Sequence, residues 1–147
     1  MLVPSMNNKE ITKELLNDYN ILVSFSTFAR LAEEYYRERK KLNIKKEAEY
    51  TKFYKIKTKS KNDWVIMVSK NVKLKKYQYP WDCAYRLYNY FHSYQGLCVC
   101  LAGPFQTIGI YYKHFFQRYR ERMELNIPDL LDVVKYFFNN NYLPYNR

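Results

Sequence analysis

The chain has 147 residues and a mass of 18.1 kDa, the length of one domain and too short for a multidomain enzyme. Its 25 Lys and Arg against 14 Asp and Glu leave a formal charge of +11, which points to an anionic partner such as nucleic acid or another polyanion. Hydrophobic residues at 48%, with 17 Tyr and 9 Phe, exclude a disordered basic tail; Lys, Asn, Tyr, Ile and Phe are also what an AT-rich genome favours, so position must carry the argument.

From the N-terminus, Asn7 followed by Glu10 predicts a cap before a short helix carrying Ile11, Leu15 and Leu16. The start MLVPSMNNKEITKE lacks the basic-then-apolar order of a secretory signal, and no run approaches roughly 18 apolar residues, so a cytoplasmic protein without a membrane partner is expected. A second helix is expected after Ser26, with Phe28, Leu31, Ala32, Tyr35 and Tyr36 as its inward stripe, fraying near Lys41. From Tyr50 the period changes. FYKIKTK alternates, KSKND offers a turn and WVIMVSK is a short apolar run, which together predict a hairpin.

The stretch from Trp81 to Tyr94 fits either a helix or a strand, with the Gln95-Gly96 turn favouring a strand over its second half. LCVCL and TIGIYY read as further strands, and all three glycines (Gly96, Gly103, Gly109) fall among them, where the sharp turns are expected. His114 opens a helix expected to reach about Leu125. A last helix is expected with Asn126 as cap and Leu130, Val133, Val134 and Phe137 facing inward. The predicted class is α+β in a single domain over residues 1–147: N-terminal helices, a twisted antiparallel sheet of about four strands, and C-terminal helices.

The charge is unevenly placed. Residues 37–76 hold 15 Lys and Arg against Glu38, Glu47, Glu49 and Asp63, so this segment carries the whole +11 and the remainder of the chain is neutral. Such clustering suits a surface that tracks a phosphate backbone, with Lys55, Lys57 and Lys59 as its candidate contacts. It equally suits a solvated helix end and a lysine-decorated edge hairpin that resists aggregation.

Three cysteines, Cys83, Cys98 and Cys100, are an odd number and do not form a secreted disulfide framework. Cys98 and Cys100 would share one face of a strand. Neither a CxxC pair nor an HxxxH spacing is present, so buried free thiols are expected and no metal site is assigned.

The most informative segment is YYKHFFQRYRERMEL. His114, Arg118 and Arg122 are spaced i, i+4 and i+8, which aligns them on one helical face. The first turn of such a helix exposes free N–H groups beside His114, and arginine forks suit phosphate better than lysine point charges. A histidine with an ordinary pKa could act as general acid or base there, and cleavage of RNA by its own 2′-OH needs no cofactor and no metal. Tyr111 and Tyr112 precede the helix, so one of them shares its side of the sheet; Tyr112 and Arg120 are added as candidate substrate contacts, while Tyr119 is expected in the core. Glu121 and Glu124 could instead pair with these arginines and make an ordinary salt-bridged helix. His92, on an alternating aromatic strand, is expected to pack.

KHFFQRYRERMELNIPDLLDVV resembles, through its His-x3-Arg-x-Arg-x-Arg helix, the barnase-like and RelE-like small ribonuclease toxins and their phage-borne relatives. The resemblance covers about 22 of the 147 residues and implies a metal-independent ribonuclease of toxin type, with His114, Arg118 and Arg122 as its catalytic face. Helices followed by a twisted antiparallel sheet are the fold it implies. RNA or another polyanion, and beside it an acidic antitoxin or a host protein, are the candidate partners. Two other classes stay open: a non-enzymatic binder of nucleic acid or of an acidic protein, and a phage or mobile-element accessory protein that engages a host factor through its tyrosine-rich surface.

Overall fold

The computed structural model describes residues 1–70 and 80–141; Lys73, Lys75 and Lys76 of the basic segment lie outside the described residues. Helices α1 (Asn8–Leu22) and α2 (Phe25–Lys41) come first. They are followed by strands β1 (Thr51–Lys57), β2 (Asp63–Lys70), β3 (Cys83–Ser93), β4 (Gly96–Gly103) and β5 (Thr107–Tyr112), then by helices α3 (Lys113–Arg122) and α4 (Leu130–Asn140). The strands form one antiparallel meander in the order β1-β2-β3-β4-β5. The α+β class with helices at both ends is as expected, with five strands in place of about four. The ambiguous stretch is strand along the whole of β3, whose aromatic side chains serve both faces of the sheet.

Alternation along the strands feeds two cores, because each pair of terminal helices covers one face of the sheet. Trp64, Ile66 and Val68 of β2, with Leu87, Cys98 and Cys100, pack toward α1 and α2. Val65, Met67, Tyr88, Val99 and Leu101 pack toward α3 and α4. This double cover explains why WVIMV and LCVCLA are unbroken apolar runs: β2 and β4 have no wet face. Each fully buried large side chain, such as Trp64, Ile66 or Phe116, contributes on the order of 1.5–3 kcal/mol relative to exposure. β1 differs from them, being an edge strand whose residues are all half-buried or exposed.

The helix ends are set by specific caps. Asn7 and Glu10 form the expected reciprocal pair: the Glu10 N–H donates to Asn7 Oδ1 at 2.9 Å and the Asn7 N–H to Glu10 Oε1 at 3.1 Å. α2 starts two residues earlier than predicted, because Ser24 is the cap, its Oγ accepting the Thr27 N–H at 3.2 Å. The last helix starts later than predicted, capped by Asp129 through the Leu131 N–H at 2.9 Å, not by Asn126. The Arg120 guanidinium holds Ile127 O and Pro128 O, which keeps the intervening chain out of helix. α3 ends at Arg122 and not near Leu125, since Glu124 turns to a φ of 52° and the Leu125 N–H closes back on Arg120 O at 3.0 Å.

Two buried polar groups tie layers together. Asp18 of α1 accepts on one oxygen from Thr58 Oγ1 (2.9 Å), Asn62 Nδ2 (2.7 Å) and Trp64 Nε1 (3.0 Å), which fastens α1 to the β1–β2 turn. Arg39 continues the inward stripe of α2 beyond Phe28, Leu31, Ala32 and Tyr35; its guanidinium donates to Lys45 O (2.8 Å), Ala48 O (3.2 Å) and Tyr35 Oη (3.3 Å). One charge of the basic segment therefore works inside the fold.

Cys83, Cys98 and Cys100 are free and buried, and Cys98 and Cys100 share a face with their sulfurs 3.9 Å apart. Burial pushes the Cys83 thiol up to about 11. Among the described residues no group of three His, Cys, Asp or Glu is gathered as a metal site, and no helix is long and apolar enough to cross a membrane. The β4–β5 turn departs from the expectation that glycines take the sharp turns: Phe105 and Gln106 carry its positive φ angles, both 56°.

Candidate nucleic-acid interface

α3 leaves β5 directly, and its amphipathic pattern decides what faces outward. Phe116 is fully buried against the sheet, so the flank of the helix turned away from it is left to solvent. The spacing i, i+3, i+4, i+7 then gathers Phe115, Arg118, Tyr119 and Arg122 along one shallow groove of about 310 Å³. The groove is half aromatic and half cationic. Phe137 of α4 packs edge-on against both aromatic members, with ring centroids 5.0 Å from Phe115 and 5.0 Å from Tyr119, so their positions are fixed from below. Phe115 still keeps 40% of its surface exposed.

The cations of this groove are uncommitted. Among the described residues Arg118 and Arg122 make no hydrogen bond and no ion pair, and Glu121 and Glu124 do not pair with them. The salt-bridged alternative considered for this helix is therefore absent from the structure among the described residues. Two guanidinium forks beside two fixed rings can clamp phosphate oxygens and stack bases at the same time.

The remaining predicted site residues are distributed elsewhere. His114 is exposed on the first turn of α3, one turn before Arg118, but it does not line the groove. No group among the described residues hydrogen-bonds its ring. Arg120 points to the other side and is occupied with the Ile127 and Pro128 carbonyls. Tyr112 is corrected: alternation sends it to the face of α1 and α2, where its hydroxyl donates to Asn8 Oδ1, and burial raises its pKa. Tyr111 is the one on the α3 side, packed among Phe115, Phe116, Phe137 and Phe138.

Lys55 and Lys57 of β1 lie, like Phe53, on the sheet face that carries α3 and α4, but at the far edge with α4 between them and the groove. Lys57 pairs with Asp63 at 3.2 Å, both exposed, and Lys59 is exposed in the β1–β2 turn. His92 is exposed at the end of β3 and not packed as expected.

Phe115 and Tyr119 were the groove residues that the 114-118-122 spacing missed. The signal for them was the shifted stripe 115-118-119-122, which interleaves two aromatics with two arginines. Comparison of the chain with protein-family models, with curated proteins and with solved structures finds no match.

Proposed function

We propose that the protein binds single-stranded nucleic acid in the α3 groove, with RNA the class that the His-x3-Arg-x-Arg-x-Arg resemblance implies. The observation that carries this reading is the pairing of two unpartnered guanidiniums, Arg118 and Arg122, with two rigidly held rings, Phe115 and Tyr119, in one groove. Arginines supply phosphate contacts and the rings supply sequence-tolerant stacking, which together select a single strand over a duplex. His114 stands outside the groove and lacks an orienting partner, so binding is what the geometry supports, and cleavage is an added step that the test must register.

The test is fluorescence anisotropy with a labelled oligouridylate of roughly ten nucleotides, a length within the range of single-strand sites. Wild type should bind, and Arg118→Ala with Arg122→Ala should weaken binding by at least about tenfold. Phe115→Ala should also weaken it, while His114→Ala should leave affinity unchanged. Affinity indifferent to both arginines would overturn the groove. The same samples run on a gel register chemistry: cutting by wild type that His114→Ala abolishes would make the site a ribonuclease centre of the kind the resemblance implies.

A further inference from the structure

β1 is one of the two edge strands of the sheet, β5 being the other, and β1 is the lysine-rich one. The Thr58 N–H donates to Asn62 O at 3.1 Å, and ladder bonds alternate from that pair, so Lys52, Tyr54 and Ile56 exchange bonds with β2. Thr51, Phe53, Lys55 and Lys57 therefore turn their N–H and C=O groups outward. Among the described residues nothing in the chain accepts or donates to those groups. We infer that this edge is a docking site for an extended acidic peptide segment of a partner protein, which adds a sixth strand to the sheet.

Charge decides the occupant. A second copy pairing through its own β1 would bring six lysines onto one two-stranded edge, and like charges on facing strands are destabilising. A nucleic acid can answer the lysines but offers no ladder of donors and acceptors for the outward amides, whereas an extended peptide answers both. The register then dictates the partner. Opposite Lys55 and Lys52 it needs carboxylates; opposite Lys57, already paired with Asp63, a further carboxylate shares the charge. Opposite Ile56, Tyr54 and Phe53 it needs apolar or β-branched side chains. An antiparallel partner read from its N-terminus is thus acidic, apolar, acidic, apolar, apolar, acidic. This inference rests on β1 alone and stands apart from the α3 groove.

The probe is the heptapeptide Glu-Val-Glu-Val-Val-Glu-Thr, titrated into the full chain with amide resonances followed by NMR. Binding should shift the amides of Thr51, Phe53, Lys55 and Lys57 and slow their exchange. The same peptide N-methylated at the residues facing Lys55 and Phe53 should not bind, because it keeps the charge and loses the ladder. Lys55→Pro removes an outward N–H that the sheet does not use and should weaken binding by about tenfold or more, whereas Lys55→Gln, which keeps the N–H, should cost less. The N-methylated control needs no folded variant. Equal binding of the methylated peptide, or no shift at these amides, would overturn the inference and leave the lysines as protection against aggregation. Oligouridylate shifting these amides where the peptide does not would overturn it in favour of nucleic acid.

Discussion

The segment that carries the chain's net charge and helix α3, four cations against Glu121, use their cations in opposite ways. Between Arg37 and Lys70 the charges are spread over the end of α2, a loop, both sides of β1 and its turn, and several are already engaged. Arg39 is buried on carbonyls, Arg37 pairs with Glu33 at 3.2 Å, and Lys57 pairs with Asp63. On α3, by contrast, Arg118 and Arg122 are unpaired and converge with two fixed rings on one groove. Net charge sets the field that attracts a polyanion, but convergence of unpaired donors sets where it is held.

The largest effect expected from this contrast is at Arg39. Arg39→Met removes a buried guanidinium from three carbonyls and a hydroxyl, and should lower stability by about 3 kcal/mol in chemical denaturation while leaving nucleic-acid affinity per folded molecule unchanged. A loss of affinity with unaltered stability would mean that the charged segment, and not α3, is the binding surface. The next effect is on salt dependence. Removing Arg118 and Arg122 together should flatten the log–log slope of oligouridylate binding by about 1.4, at about 0.7 per single-strand phosphate contact. Replacing Lys55, Lys57 and Lys59 by Gln should change that slope by less than one such step. A larger change in the lysine variant would join the β1 edge to the nucleic-acid path.

Much of the fold was legible because local and global signals agreed. The Asn7–Glu10 cap, the Phe28-to-Tyr35 stripe and the unbroken WVIMV and LCVCL runs each name an element and the face or faces it buries. The misplaced boundaries turn on short-range competition between candidate caps: Ser24 caps through the Thr27 N–H and Asp129 through the Leu131 N–H, where Asn126 was as suitable by residue type, and Arg120 reaches forward to Ile127 and Pro128. The candidate groove was half legible. Spacing aligned Arg118 and Arg122, which line it, with His114, which does not, because helical phase alone could not tell which side of α3 the sheet would take. The choice of Tyr112 over Tyr111 went astray for a similar reason. Alternation told that Tyr111 and Tyr112 part company, and only the sheet's docking told which goes where.

The two basic helices also end alike, and that likeness yields the smallest expected effect. α2 closes with the Ile44 N–H on Arg39 O and the Asn43 N–H on Lys40 O; α3 closes with the Leu125 N–H on Arg120 O and the Glu124 N–H on Glu121 O. In both, one residue past the cap stands in the left-handed region, Asn43 at a φ of 53° and Glu124 at 52°. Asn tolerates that conformation, while Glu meets the full Cβ clash with the carbonyl, so the strain is unequal. Glu124→Gly should therefore stabilise the protein by roughly 1 kcal/mol, and Asn43→Gly by only a few tenths. The substitution also removes an acid one turn from the groove, next in sequence after Met123 and close to Arg122. If the groove holds phosphate, thermal denaturation and oligouridylate titration of Glu124→Gly should move together, toward a more stable fold and a slightly tighter complex. Stabilisation with weakened binding would instead show that the closed turn holds Arg122 in its working position.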